Sequence, residues 1–383
     1  MKVARLAILC LALPIAAAAQ GSKVTDTTAK ETVEATPALD FSGVLFANYQ
    51  YRGDNGGRSA NKFDLDRVYL TFRIPAGKHL GVRVTTDIFQ QTASGSDSYY
   101  KGWTIRAKYA YLQYNYLNGT EWQSSARAGL IQTVFIDHDE QFWPRWISTS
   151  PTDRAGYFSS ADAGLANTVS LPKKFGQLYT AITNGPGYTS RETDRFKDYA
   201  ARLTITPWAR DKSSPLNGLA LSAWGYKGAV ASRFVDGGIG QQGAVGSGLD
   251  RDRWGVHAAN LHPRLTIGAE YAWRRDEGEA GNNTAASPRV VVDSTGALLS
   301  LYGVARPFSS STAEPHPLSL VARYDRVSVN KDRDSKYEVI IAGAIWDLSN
   351  KVSVAVDYQE NNPVTANSIA RAHTWFAHVV ARF

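Results

Sequence analysis

The densest chemistry in the chain lies in IDHDEQFWPRWISTSPTDRAGYFSSADA, residues 136 to 163, where Asp137, Asp139, Glu140, Asp153 and Asp162 stand with Arg145 and Arg154 and no lysine. Across a narrow aqueous passage such charges would set up a transverse field on polar solutes. In the blander reading they only solvate the segment, with Trp143 and Trp146 anchoring it. Asp137, His138, Asp139 and Glu140 offer the hard oxygen ligands that calcium takes, without the spacing of a calcium loop. His373 and His378 are five residues apart on an alternating segment, so they point to opposite faces and do not make a metal pair. There is no G-x-S-x-G, no H-E-x-x-H and no phosphate-binding glycine loop, so neither a catalytic constellation nor a cofactor is expected.

A second set of charges occupies polar positions of alternating segments: Arg52, Arg67, Arg73, Arg83, Arg127, Arg202, Arg274 and Arg323. Guanidinium groups stay charged and bind carboxylate or phosphate with two parallel hydrogen bonds. Lining one wall, they would favour anions. Paired instead with carboxylates such as Asp87, Glu270, Asp325 and Asp357, they would give no net preference.

These residues need elements to hold them, and the chain from Phe41 onward repeats one pattern: about ten residues of alternating character, then turn residues. Sixteen such segments are read, near 41–52, 63–74, 80–90, 104–117, 123–135, 164–172, 174–184, 196–206, 216–228, 252–260, 263–275, 295–306, 317–329, 336–347, 351–360 and 371–383. In the first, Phe41, Gly43, Leu45, Ala47, Tyr49 and Tyr51 fall on one face while Ser42, Asn48, Gln50 and Arg52 fall on the other. Leu265, Ile267, Ala269, Tyr271 and Trp273 oppose Thr266, Glu270 and Arg274 in the same way.

Connections alternate between short ones, such as PAGKH at 75–79, LNG at 117–119 and LSNK at 348–351, and long ones such as 136–163 and 229–251. The connections at 207–215 and 307–316 are longer than an ideal turn, and 330–335 is short for an outer loop. The pattern predicts a sixteen-stranded antiparallel transmembrane β-barrel with short periplasmic turns and long extracellular loops. Aromatic residues gather at strand ends as membrane girdles require: Tyr49, Tyr51, Tyr271, Trp273, Tyr324 and Tyr358 on the outer side, Tyr114, Tyr116, Trp346 and Phe383 on the periplasmic side. Segment 136–163 is the third outer loop by this count. In general porins that loop folds into the barrel and sets the constriction, so its charges are candidate filter residues.

The N-terminus carries Lys2 and Arg5, an apolar stretch from Leu6 to Ala19 and the triplet Ala17, Ala18, Ala19. This reads as a secretory signal, residues 1–19, too short to be a spanning helix. Its removal lowers the net charge from +7 to +5 and takes away Cys10, the only cysteine, so disulfides and thiolate metal sites are excluded. Residues 20–40, polar and free of aromatic side chains, read as a flexible periplasmic leader. The mildly basic remainder fits contact with lipopolysaccharide or an anion-favouring pore, and no nucleic-acid partner is expected. The closing segment RAHTWFAHVVARF alternates up to a terminal Phe383, which resembles the signal read by the outer-membrane barrel assembly machinery.

Several stretches resemble the phosphate-selective porin family, the O and P type: FDLDRVYLTFRIPAGKHLGVRVTTDI at 63–88, GYFSSADAGLA at 156–166, LVARYDRV at 320–327 and IIAGAIWDLSNKVSVAVDYQENN at 340–362. The resemblance implies a sixteen-stranded barrel, a homotrimer in the bacterial outer membrane and diffusion of anions. Phosphate-preferring members carry lysines on the third loop beside an arginine ladder. This loop has none and is net acidic, so phosphate specificity is not carried over. The leading expectation is a non-enzymatic porin for small hydrophilic solutes, with a weak anion preference. The alternatives are a barrel enzyme, which would need a nucleophile beside a His and a carboxylate, and a secreted soluble β-rich binding protein without a lipid-facing belt.

Overall fold

A computed structural model describes residues 39–54, 59–91, 102–232, 248–282, 284–309, 316–365 and 369–383. The expected signal and all but the last two residues of the expected leader lie outside these. Among the described residues the strands run β1 Asp40–Asp54, β2 Ser59–Pro75, β3 Leu80–Gln91, β4 Gly102–Asn118, β5 Gln123–Gln132, β6 Ala161–Ser170, β7 Gly176–Thr183 and β8 Asp198–Ile205. They continue with β9 Leu219–Ala231, β10 Gly248–Asn260, β11 Leu265–Ala280, β12 Val290–Ala305, β13 Leu318–Asn330, β14 Ser335–Asp347, β15 Val352–Pro363 and β16 Ala372–Arg382.

Each strand pairs antiparallel with its sequence neighbours, and β1 pairs with β16 to close the cylinder. Closure leaves no unpaired sheet edge, which is the condition for a sheet to span hydrocarbon. The seam ends on Phe383, whose backbone exchanges hydrogen bonds with Gly43 at 2.7 and 3.0 Å. A Cβ on Gly43 would sit 2.4 Å from the Phe383 ring, so glycine there makes room for the terminal aromatic.

Polar residues such as Glu270, Ser300 and Asp357 are almost wholly buried, whereas Val256 is 47%, Leu320 46% and Val356 57% exposed. That inverts the soluble pattern and puts the polar face inside, the apolar face outside. Trp254 and Trp273 stack on the exterior, with centroids 6.4 Å apart. Just beyond them toward the outer rim lie Lys227, Asp252 and Arg275, joined by ion pairs of 2.9 and 3.9 Å. Exterior charge on this side thus begins where the aromatic girdle ends.

The expected boundaries need correction on either side of the third loop. β5 stops at Gln132, not 135, and β6 begins at Ala161, not 164. The loop is therefore 133–160, and Asp162 is a strand residue. β11 and β12 also extend outward to Ala280 and from Val290, beyond the 275 and 295 expected.

Two of the register breaks are β-bulges where β2 meets β1 and where β4 meets β3. Asp66 is the extra residue of β2, since Phe46 faces Arg67 and Ala47 faces Leu65. Lys108 is the extra residue of β4, since Thr85 faces Tyr109 and Thr86 faces Ala107. A bulge turns two successive side chains to one face. At β4 this sends both Lys108 and Tyr109 inward, where they are 4% and 3% exposed.

Candidate functional site: an inward loop and a basic cavity

Loop 133–160 lies inside the cylinder, because its hydrogen bonds run to inner-wall residues around the circumference. It contains two one-turn helices, α1 Ile136–Asp139 and α2 Pro151–Arg154, the latter begun by a proline whose missing N–H costs nothing at a helix start. Arg202 on β8 donates to the Val134 carbonyl at 2.6 Å, Arg323 on β13 to Thr149 at 2.6 Å and Arg274 on β11 to Ala155 at 3.2 Å. Gln359 on β15 donates to Ile147 at 2.9 Å. In return Arg154 reaches Asn361 at 2.8 Å, and the Tyr157 hydroxyl reaches the Ala272 carbonyl at 3.2 Å. Trp143, 1% exposed, packs on Tyr302 and lies under the Arg323 guanidinium.

The wall arginines thus divide by task. All eight occupy inward positions, but Arg202, Arg274 and Arg323 pin loop carbonyls. Arg127 binds Gln113 and Gln132 at 3.0 and 3.2 Å, which resolves the register of β5 in favour of an inward guanidinium. Arg83 lies over the Tyr109 ring. Arg73 pairs with Asp40 at 3.1 Å near the periplasmic end, and Arg52 is exposed at the outer end of β1. Arg67 alone among the eight borders the cavity beside the loop.

That cavity, about 550 Å³ between the loop and β2 to β10, is lined by Arg67, Arg106, Arg145, Arg251 and Arg253 and by Asp153, Asp162 and Asp198. Of these arginines Arg253 is paired with Asp276 at 3.0 Å, and two of the three acids accept local hydrogen bonds. Asp162 accepts the Ala163 and Gly185 N–H groups at 2.7 and 2.6 Å, and Asp198 accepts the Tyr226 hydroxyl and the Ala229 N–H. On the β2–β4 side, one fully buried carboxylate oxygen, Asp87 Oδ2, accepts from Arg67 at 2.9 Å, Arg106 at 3.0 and 2.9 Å and the Tyr188 hydroxyl at 3.1 Å. Two permanent cations share one anion. Phe89 and Tyr188 lie against Arg106 at 3.8 and 4.6 Å, which orients the guanidinium and favours its charge.

The loop acids do not face this cavity as a group. Asp137 accepts the Tyr109 hydroxyl at 2.5 Å, Asp139 accepts the Tyr302 hydroxyl at 3.0 Å, and Glu140 is held by Arg145. Arg145 also lies 3.6 Å from Asp153, which burial pushes above its ordinary range despite the nearby Arg145 and Lys108. Asp137, His138, Asp139 and Glu140 therefore diverge to four different partners. Among the described residues no group of three or more His, Cys, Asp and Glu side chains is placed to hold a metal.

Behind the loop, His138 Nε2 lies 2.9 Å from the Ser222 hydroxyl, a spacing a nucleophile and its base would show. Both are sealed between loop and wall, 6% and 5% exposed, and Ser222 is also bonded to Thr204 at 2.9 Å. Burial, with Arg202 and His257 nearby, drives the His138 pKa down to about 2. A neutral imidazole packed against Phe135 and Phe142 with no route for substrate is a packing element. Asp139, fully buried, is lifted to about 7 chiefly by burial, with the Tyr302 hydrogen bond and Arg323 opposing the rise.

Sequence reasoning missed Arg106, Lys108, Arg251 and Arg253. A signal existed: Arg106 and Lys108, and likewise Arg251 and Arg253, are spaced by two, which puts both members on one face of a regular strand. The bulge at Lys108 was invisible, because a bulge is a property of pairing between strands.

The molecule is a closed sixteen-stranded β-barrel of the outer-membrane type, with its third outer loop folded inside. Among solved structures it is similar to the outer membrane channel DcaP of Acinetobacter baumannii, with TM-score 0.59 and 14% identity over 91% of this chain and 98% of that one. It is also similar to Pseudomonas putida OprB, with TM-score 0.60 and 10% identity over 90% and 94%, and to Salmonella typhi OmpF, with 0.57 and 13% over 91% and 98%. At these identities the likeness concerns the fold. No family model and no curated protein matches the sequence.

Proposed function

We propose that this chain is an outer-membrane porin for passive diffusion of small hydrophilic solutes, with a preference for anions. The observation that carries the preference is the sharing of Asp87 by Arg67 and Arg106 at one side of a cavity whose lining holds five arginines against three aspartates. An unneutralised guanidinium beside a water-filled passage raises the local concentration of anions and lowers that of cations. Loop 133–160 acts as the constriction, with Arg145, Asp153 and Arg154 on it and Asp137, Asp139 and Glu140 serving to hold it. The likeness to DcaP, itself described as a channel, supports the pore reading. The trimer form of Vibrio cholerae OmpT supports a homotrimer. The resemblance to the phosphate-selective type finds its cavity cations mostly on the wall, with Arg145 on the loop. Export by the N-terminal signal, recognition of the Phe383 strand by the assembly machinery and a belt of outer-membrane lipid complete the reading.

The test is reconstitution of the purified protein in planar bilayers under a potassium chloride gradient. Single-channel steps with a reversal potential on the chloride side are expected. Absence of conductance counts against the pore, and a reversal potential on the potassium side counts against the anion preference alone.

A further inference from the structure

On the outside of the barrel, near the outer ends of β13 and β14 and midway along β11 and β12, Ala297 and Ser328 face each other across β12 and β13. Both side chains are short, and the sheet surface is hollow there, forming a groove of about 400 Å³. Tyr271 and Leu299 supply an apolar wall. Three cations border the same hollow: Arg326, level with Leu299; Lys336, level with Ser328; and Lys331 in the outer turn, whose N–H is fixed to the Thr295 carbonyl at 2.8 Å. The acids nearby are Glu338, opposite Arg326 and bonded by the Tyr324 hydroxyl at 2.7 Å, and Asp334, which meets Lys336 at 2.5 Å from a 62% exposed position. An exposed pair of that kind is worth little and yields readily to a doubly charged phosphate.

We infer that this groove is a binding site for the phosphorylated, acylated end of lipopolysaccharide, lipid A, with an acyl chain over Ala297, Leu299 and Tyr271 and a phosphate among Arg326, Lys331 and Lys336. The charges sit beside the outer girdle, where headgroup phosphates of the outer leaflet lie, and the apolar floor continues below them into the hydrocarbon. That combination of cations above aliphatic surface matches an anionic lipid and not a soluble anion. The inference rests on the outer-membrane orientation proposed above, and it does not depend on the pore conducting.

The experiment uses the full-length protein in detergent, titrated with bisphosphorylated lipid A, with lipid A stripped of phosphate and with phosphatidylglycerol, followed by native mass spectrometry. Bisphosphorylated lipid A is expected to bind at least about tenfold tighter than the stripped form, and R326A/K336A to lose about tenfold in affinity. K173A/K174A, in the turn at the opposite end of the barrel, is expected to bind as the parent does. Equal affinity for phosphorylated and stripped lipid A, or an unchanged affinity in R326A/K336A, overturns the site. Tighter binding of phosphatidylglycerol than of lipid A assigns the groove to phospholipid and overturns it as well. Heat-resistant gel mobility of R326A/K336A shows that the barrel has formed. Conductance of the same samples in planar bilayers separates failure of the site from failure of the pore reading.

Discussion

Arg154 and Asn361, 207 residues apart in the chain, meet at 2.8 Å inside the barrel and tie the far end of the third loop to β15. The same guanidinium reaches Gln359 at 3.3 Å and the Ser148 hydroxyl at 3.0 Å. Its partners are neutral amides and a hydroxyl, so removing it strands no buried charge. R154A is expected to lose about 1 kcal/mol of loop docking, while heat stability of the barrel stays near that of the parent. Open-channel noise should rise in single-channel records. Noise equal to the parent's counts against the role given to this contact.

Arg323 behaves differently. It holds Asp325 with three contacts of 2.6 to 2.9 Å, and both side chains are almost entirely buried. R323A leaves that carboxylate without its cation, and the expected loss is about 3–5 kcal/mol. The measurement is urea unfolding in lipid vesicles. R323A/D325N should recover most of the loss, and a double variant no better than the single refutes the charge argument.

Selectivity should follow the count of charges around Asp87. D87N keeps Arg67 and Arg106 and removes their shared anion, so the chloride-to-potassium permeability ratio should rise about twofold or more. R106A should lower it. Reversal potentials that move together in the two variants, or fail to move, are incompatible with the shared carboxylate as the source of preference.

The loop should also respond to pH through Asp139. Facing it are Tyr302, Arg323, Glu140, Asp325 and Glu270, and His257 at 3.5 Å. Docked, Asp139 binds its proton up to about pH 7, and undocked it would release it near 3.8. Docking gains from Asp139 are therefore full at low pH and vanish as pH rises from 3.8 through 7. His138 has the opposite sign: it takes up a proton near 6.5 only when undocked, so acid below 6.5 favours release. Between about pH 6.5 and 8 the contribution of Asp139 changes while that of His138 does not. Amide hydrogen exchange in residues 133–160, corrected for intrinsic rate, should quicken over that interval in the parent and stay flat in D139N. Equal acceleration in both assigns the effect elsewhere.

Val256 tests the orientation of the wall. It is 47% exposed on the outer face of β10, beside the inward His257. V256R puts a guanidinium into hydrocarbon and should cost about 2–4 kcal/mol of folding free energy in vesicles. A neutral effect would mean that this face does not meet lipid.

The residues by themselves determined the strand count, the antiparallel order and the two-sided character of the wall. Period-two alternation and the spacing of turns are local properties, readable without knowing which strand lies beside which. The inward direction of the eight arginines was legible for the same reason. Which of them face solute was not. Arg202 and Arg323 look alike on their strands, yet each ends on a loop carbonyl, at Val134 and at Thr149, supplied by residues 68 and 174 positions away. The acidic loop became part of a basic cavity because Asp137, Asp139 and Glu140 found partners in Tyr109, Tyr302 and Arg145, while Arg106, Arg251 and Arg253 came round from the wall. Burying a charge demands a partner, and only the closed cylinder decides which groups are near enough to serve.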